Sequence, residues 1–411
     1  MKILYVSQYF PPEMGAPAAR ADELTRHWAR MGHDVSVLTG FPNHPTGVVP
    51  EAWRSRLHRL HNQETIAGVR VVRTWLWPLA NRKAHERIRN YASFCASAAI
   101  SGLAVQKPDV VIATSPQLLC ALAGWWIAFW RRVPFVFEVR DLWPESLAAV
   151  GAGREGTLLH RTLGAIAGFL YRRADRVVVV SPAFKDHLIK YWSVPSDRIS
   201  TVENGVETDL FHFDPTSAME VRKQLNLEER FLVCYIGTMG NAHGLHKLIA
   251  AAEQLQTALP KALFLLIGEG AEKQQLVELA AVRHLANIQF LDQQPREEIP
   301  AFVSAADLCL VMLKKSELFK TVIPTKLLEY MACQRAVIVA VDGQARKIVE
   351  EACGGVFIEP ENVNALVGAI LDLAANPQRR EQMGVSGRDY ILRNFSRAKT
   401  ARDYIEVLEK L

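Results

Sequence analysis

Phe231-Leu232-Val233-Cys234-Tyr235-Ile236-Gly237, followed at once by Thr238-Met239-Gly240-Asn241-Ala242-His243-Gly244, is the stretch on which the fold turns. A short apolar run rich in β-branched and aromatic residues and closed by glycines reads as a buried strand entering a tight loop. Runs of the same form follow at 262–268, 287–291, 307–313, 336–341 and 354–358. Upstream they occur at 3–7, 35–39, 69–73, 109–113, 135–139 and 176–181, with helical patterns such as 18–31 between them. That alternation predicts βαβ units and parallel sheets. Because the pattern restarts after Asn204-Gly205, the expected architecture is α/β, with two Rossmann-like doubly wound domains facing across a cleft. Their expected spans are 1–205 and 206–390, with an amphipathic helix in 391–411 placed to pack back on the first domain. Ligands of such sheets sit beyond the carboxyl ends of the strands, which makes that cleft the expected active site.

Composition narrows the classes. With 411 residues, 49% hydrophobic and 22% charged, the chain is globular and long enough for two or three domains. Its six cysteines form no CxxC pair, so they read as buried thiols in a reducing compartment, with neither a disulfide framework nor a cysteine metal site. The start, MKILYVSQYFPP, is too short an apolar stretch for a secretory signal, and no run reaches the ~18 residues a membrane span needs. A cytoplasmic protein is expected. Residues 1–205 hold 25 Lys and Arg against 16 Asp and Glu, whereas the remainder holds 23 against 27. All nine tryptophans also fall in the first half, a mixture suited either to a membrane–water interface or to one aromatic core. No basic run, zinc module or RNP-like motif accompanies the positive charge, so nucleic-acid binding is set aside.

The candidate residues cluster where strands end. In Gly237, Thr238, Asn241, His243 and Gly244, glycines let backbone approach a phosphate and His243 is a hydrogen-bond donor. Gly268 and Glu269 add small residues and a carboxylate at the same rim. In Thr321-Val322-Ile323-Pro324-Thr325-Lys326-Leu327-Leu328-Glu329, Thr325 is the expected N-cap and Lys326 lies in the first helical turn. A cation at a helix's positive end is unfavourable unless an anion joins it. Glu329, one turn on, is suited to two adjacent hydroxyls of a sugar or ribose. The first half offers Gly15 and Arg20 after its first strand, then Asn43 and His44 after another. A third strand end carries Arg140, Asp141 and Glu145. A tight turn, a structural histidine or an Arg140–Asp141 ion pair are the plainer readings of these positions.

The stretches YFPPEMGAPAAR (9–20), LTGFPNHPTG (38–47), FEVRDLWPES (137–146), RADRVVVVSPAFKDHLI (173–189), ENGVETDLF (203–211), LIGEGAE (266–272), AADLCLVML (305–313) and PTKLLEYMAC (324–333) together resemble glycosyltransferase family 4. Within it they resemble the bacterial N-acetyl-L-fucosamine transferases of O-antigen and capsule assembly. The resemblance implies a GT-B fold, a nucleotide-sugar donor held by the second domain, an acceptor held by the first, and transfer with retention and no metal or other cofactor. It also implies two glutamates with seven residues between them, the first on the donor sugar and the second on the ribose. Glu329 matches the second, but the first falls on Thr321, and the family's phosphate-binding Arg and Lys fall on Thr238 and His243. A neutral Thr321 suits a deoxy sugar, and Lys326 replaces the missing positive charge.

On that reading Lys326, His243 and backbone N–H groups stabilise the leaving diphosphate, Lys326 and Glu329 serve catalysis, and Arg140 and Asp141 position the acceptor. The expected donor is UDP-linked and the acceptor an undecaprenyl-diphosphate-linked saccharide. The Trp-rich run 118–132 and the basic segment 81–89 would then touch the inner face of the inner membrane. Two rival readings share the architecture: a nucleotide-sugar epimerase, and a non-catalytic nucleotide-sugar-binding subunit.

Overall fold

The computed structural model describes every residue except Pro45, residues 81–83 and residues 150–155. The chain forms two compact units, Met1–Glu203 with Arg397–Leu411, and Asn204–Ser396.

The first unit is built on eight strands: β1 (Lys2–Val6), β2 (Asp34–Gly40), β3 (His61–Ile66), β4 (Val69–Thr74), β5 (Val110–Thr114), β6 (Phe135–Val139), β7 (Arg176–Val179) and β8 (Ile199–Thr201). They run in the order β3-β4-β2-β1-β5-β6-β7-β8. All neighbours are parallel except β3 and β4, which form an antiparallel hairpin at the edge. Sequence reading missed β3, and its composition explains why. His61-Asn62-Gln63-Glu64-Thr65-Ile66 is polar, and it is recruited by a two-residue turn in which Ala67 and Gly68 both adopt positive φ. The order reverses between β1 and β5, so the loops after those strands open on the crevice where doubly wound sheets take ligands.

The second unit holds β9 (Phe231–Ile236), β10 (Ala262–Ile267), β11 (Ile288–Leu291), β12 (Leu308–Met312), β13 (Val337–Ala340) and β14 (Gly355–Phe357), all parallel, in the order β11-β10-β9-β12-β13-β14. This is the Rossmann order, and its reversal lies between β9 and β12. The inner strands are buried on both faces, which is why they appear in sequence as continuous apolar runs.

The domain boundaries differ from the expected ones near the C-terminus. Ile391 and Phe395 are fully packed in the core of the second unit, and the Val206 N–H donates to the Phe395 carbonyl at 2.8 Å, so residues up to 396 stay there. The return to the first unit begins at Arg397. The helix Arg397–Leu408 lies on the helix Ala16–Arg30: Arg397 Nε donates to Glu23 Oε2 at 2.8 Å, Trp28 Nε1 donates to the Ala401 carbonyl at 3.1 Å, and the Trp28 and Tyr404 rings meet edge to face at 5.1 Å.

Candidate active site

At the reversal of the second sheet, β9 runs into Gly237, whose φ of 139° suits glycine. A side chain here would also collide with Lys326, whose Nζ lies 2.7 Å from the place a Cβ would take. The next loop nests against this one backbone to backbone. A Cβ on Gly268 would stand 2.1 Å from the Gly237 carbonyl oxygen, and the Met239 N–H donates to the Glu269 carbonyl at 2.8 Å. The Glu269 carboxylate turns away to Lys273 at 2.6 Å, so this residue contributes backbone to the rim rather than charge. Tyr235 donates its hydroxyl to the Thr238 carbonyl at 2.7 Å and thereby fixes the loop from below. Asn241 Oδ1 accepts from Lys314 Nζ, and the Lys314 N–H donates to the Ala242 carbonyl at 2.8 Å, which brings a lysine from the end of β12 to the loop.

The helix Thr325–Ala332 begins one residue earlier than expected. Pro324 is the N-cap and Thr325 the first helical residue, with no side-chain capping bond, because the proline ring carries no oxygen to accept one. Lys326 still falls in the first turn. Its flank is half-buried, yet Nζ itself is enclosed, has no hydrogen-bond partner among the described residues, and lies 3.8 Å from the Tyr235 ring centroid. Burial lowers its pKa to about 7, against the attraction of Glu329. His243 is lowered to about 4 by burial and by Lys326, with the Gly240 carbonyl pulling the other way. Its Nδ1 lies 3.2 Å from that carbonyl oxygen. In the neutral ring Nδ1 therefore carries the proton and Nε2 is an acceptor; His243 becomes a donor toward a ligand only by gaining a second proton. Glu329 Oε1 is held at 3.0 Å by Arg296, which also stacks over Phe211 at 4.9 Å. Thr321 donates its hydroxyl to the Leu318 carbonyl at 2.6 Å and closes a 3-10 turn, Phe319–Thr321.

In the first unit several expected ligand residues are committed inward. Arg20 is 2% exposed and donates through Nε and Nη2 to Glu138 Oε1 at 3.1 and 2.9 Å, while Tyr5 donates to Glu138 Oε2 at 2.6 Å. Asn43 donates to the Phe41 carbonyl and accepts from Asn90. Glu145 Oε1 faces Trp192 Nε1 at 3.0 Å and His187 Nε2 at 3.3 Å. Asp141 accepts from Ser146 and, at 3.2 Å, from Trp143 Nε1. Gly15 and His44 are both exposed. The expected Arg140–Asp141 ion pair does not form. Arg140 is half-buried, with Nε and Nη1 enclosed and without hydrogen-bond partners among the described residues.

Sequence reading passed over Glu13, Arg296 and Lys314. Glu13 is 6% exposed; its Oε1 accepts the Asn43 and His44 N–H groups, each at 3.0 Å, and joins the loops after β1 and β2. Burial pushes its pKa up to about 7, restrained by those N–H groups and Arg73. Glu13 stood inside a quoted motif; Arg296 and Lys314 sit in loops with no motif at all.

Among the described residues there is no cluster of three or more His, Cys, Asp or Glu suited to a metal, and no helix long and apolar enough to cross a membrane. The helix Leu118–Arg131 is amphipathic rather than fully buried: Cys120, Ala121, Ile127 and Ala128 face inward, while Trp126, Phe129 and Trp130 are 39, 60 and 57% exposed. It packs on the helix Ala84–Ala104, which exposes Ile88, Ile100 and Leu103. Of the basic segment 81–89, residues 81–83 lie outside the described residues; Arg89 stacks over the exposed Trp77 at 5.7 Å.

Residues 15–205 match the model of the glycosyl transferase 4-like domain, and residues 218–390 that of glycosyl transferases group 1. The putative colanic acid biosynthesis glycosyl transferase WcaI of Escherichia coli K12 is 26% identical over 420 residues, covering 98% of this chain and 99% of its own. Among solved structures, Anabaena HepE in complex with UDP superposes with a TM-score of 0.74 at 18% identity, covering 100% of both chains. WaaG, a glycosyltransferase involved in lipopolysaccharide biosynthesis, superposes at 0.69 and 17% identity, covering 98% of this chain and 99% of its own. Two parallel-sheet domains, with the glycosyl transferase 4-like model on the first half and the glycosyl transferases group 1 model on the second, make this chain a glycosyltransferase of the GT-B type.

Proposed function

We propose that the protein transfers a sugar from a UDP-linked donor to an undecaprenyl-diphosphate-linked saccharide, with retention at the anomeric carbon and no metal. The observation that carries the donor half is Lys326: its enclosed Nζ lies against the Tyr235 ring with no hydrogen-bond partner among the described residues, beside a glycine-rich loop at the reversal of a Rossmann-ordered sheet, and is completed by an oxyanion. A diphosphate supplies it and draws protons onto both Lys326 and His243, so that charge developing on the leaving group meets two cations in an enclosed site. Backbone N–H groups of the Gly237 loop and the helix N-terminus add to this. Glu329 keeps Oε2 for ribose hydroxyls while Arg296 holds Oε1. No protein nucleophile is needed: the departing phosphate oxygen takes the proton of the acceptor hydroxyl as the new glycosidic bond forms and the old one breaks.

HepE is described with UDP and with UDP-glucose, which supports uridine as the base. N-acetyl-L-fucosamine or a related deoxy amino sugar is the proposed donor sugar, since Thr321 stands where the resemblance implies a glutamate. The alignment with WcaI and WaaG supports a role in surface-polysaccharide assembly such as O-antigen or capsule. A lipid-linked acceptor explains why two adjacent helices of a positively charged half expose Trp126, Phe129, Trp130, Ile100 and Leu103 toward what we take to be the cytoplasmic leaflet.

The test is a thermal-shift screen against UDP-, GDP-, dTDP- and CMP-sugars without added metal, because a ligand raises stability by RT ln(1 + [L]/Kd). A shift confined to UDP compounds, followed by turnover of UDP-N-acetyl-L-fucosamine with a lipid-diphosphate acceptor, is the expected result. Inversion between epimeric UDP-sugars with no acceptor present would replace the transferase reading by an epimerase.

A further inference from the structure

Arg140 presents a second incomplete cation, this time in the first unit at the end of β6. Its neighbourhood is dense with charge, and Glu138 attracts it through space, yet among the described residues none hydrogen-bonds its enclosed Nε and Nη1. Glu138 is held by Arg20 and Tyr5, and Asp141 by Ser146 and Trp143. Arg397, also near Arg140, is paired with Glu23. Among the described residues no carboxylate forms an ion pair with Arg140, whose backbone N–H donates to Ser115 Oγ at 2.8 Å. A guanidinium cannot shed its proton to escape burial. Enclosing two of its nitrogens without partners is therefore a standing cost, of the kind a protein retains where a ligand removes it. The side chain is half-buried, so the group remains reachable from outside, and β6 ends beside β5, on the carboxyl edge next to the reversal where a doubly wound sheet receives ligands.

We propose that Arg140 is the counter-charge for an oxyanion carried by the acceptor, so that the first domain selects an anionic saccharide, bearing either a phosphate or a carboxylate. The assignment rests on the first domain's holding the acceptor. It adds that recognition there is ionic, and that the neutral part of the sugar is not read alone.

The test compares the parent protein with Arg140→Gln and Arg140→Lys in three titrations: UDP alone, then inorganic diphosphate and D-glucuronate, each with UDP saturating. Failure of the parent to bind UDP would overturn the donor reading; the two anion titrations, then repeated without UDP, still test Arg140 through the difference between parent and variants. The expected result is that UDP binds all three proteins alike. One of the two anions should bind the parent and lose at least tenfold in affinity in Arg140→Gln, with partial recovery in Arg140→Lys. Diphosphate as the anion that responds identifies a phosphate source; glucuronate identifies an acidic sugar. Melting without ligand separates a binding role from a structural one: Arg140→Gln melts at or above the parent temperature if the charge awaits a ligand. A lower melting temperature, no anion response, or a fall confined to UDP affinity would each overturn the proposal.

Discussion

Lys326 concentrates the chemistry of the second domain in one side chain. Burial without a partner costs several kcal/mol, so Lys326→Met should raise the melting temperature of the nucleotide-free protein while weakening UDP binding by one to two orders of magnitude, about 1.5–3 kcal/mol for a lost charge-assisted bond. Differential scanning calorimetry and titration calorimetry read the two effects. The pH dependence follows from the same residue. Its pKa falls from 10.5 in the unfolded chain to about 7 in the free fold, so between those values the unfolded chain holds more protons. Stability of the free protein therefore rises with pH across that window, and the burden is fully present below pH 7. Diphosphate binding restores the proton; above pH 7 UDP affinity should fall by up to about tenfold per pH unit, with matching proton uptake, and Lys326→Arg should flatten the profile. An affinity independent of pH from 7 to 9 would mean that Lys326 stays charged in the free site.

At the scale of elements, two loops and two helices decide the surfaces that matter. The Gly237 and Gly268 loops touch through backbone, and Gly268 has a φ of 143°. Gly268→Ala adds backbone strain of about 1–3 kcal/mol and forces the loops apart. It should lower the melting temperature and UDP affinity together, whereas Lys326→Met moves them in opposite directions. On the helix Leu118–Arg131, the paired change Phe129→Ser with Trp130→Ser removes exposed rings only. Retention on anionic vesicles in a flotation assay should drop severalfold with no loss of melting temperature; unchanged flotation would mean that these rings do not hold the vesicle. Composition marked 118–132 as a Trp-rich run but not which rings face outward, because orientation is set by the neighbours the helix packs against.

For the whole molecule, the C-terminal helix is part of the first unit although its sequence follows the second. Removing residues 397–411 strips partners from Glu23 and Trp28 and uncovers the buried Leu24 and Trp28 side of the first unit. All nine tryptophans lie at or before Trp192, so tryptophan fluorescence, excited selectively over tyrosine, reports this unit alone. The truncated chain should unfold earlier by fluorescence, by several kcal/mol, with UDP binding to the second unit retained.

The sequence by itself determined two doubly wound domains, the loops at their strand ends and the helix that carries Lys326. These follow from local periodicity and glycine placement, which act over a few residues. Only the tertiary structure decided which charged groups meet a ligand. Arg20 and Glu138 stand 118 positions apart, and Arg296 and Glu329 stand 33 apart. Pairing across such distances is settled by packing rather than by pattern. It turned Arg20, Asn43 and Glu145 inward, brought Lys314 to the Gly237 loop, and left Lys326 Nζ and Arg140 Nε and Nη1 enclosed without hydrogen-bond partners among the described residues.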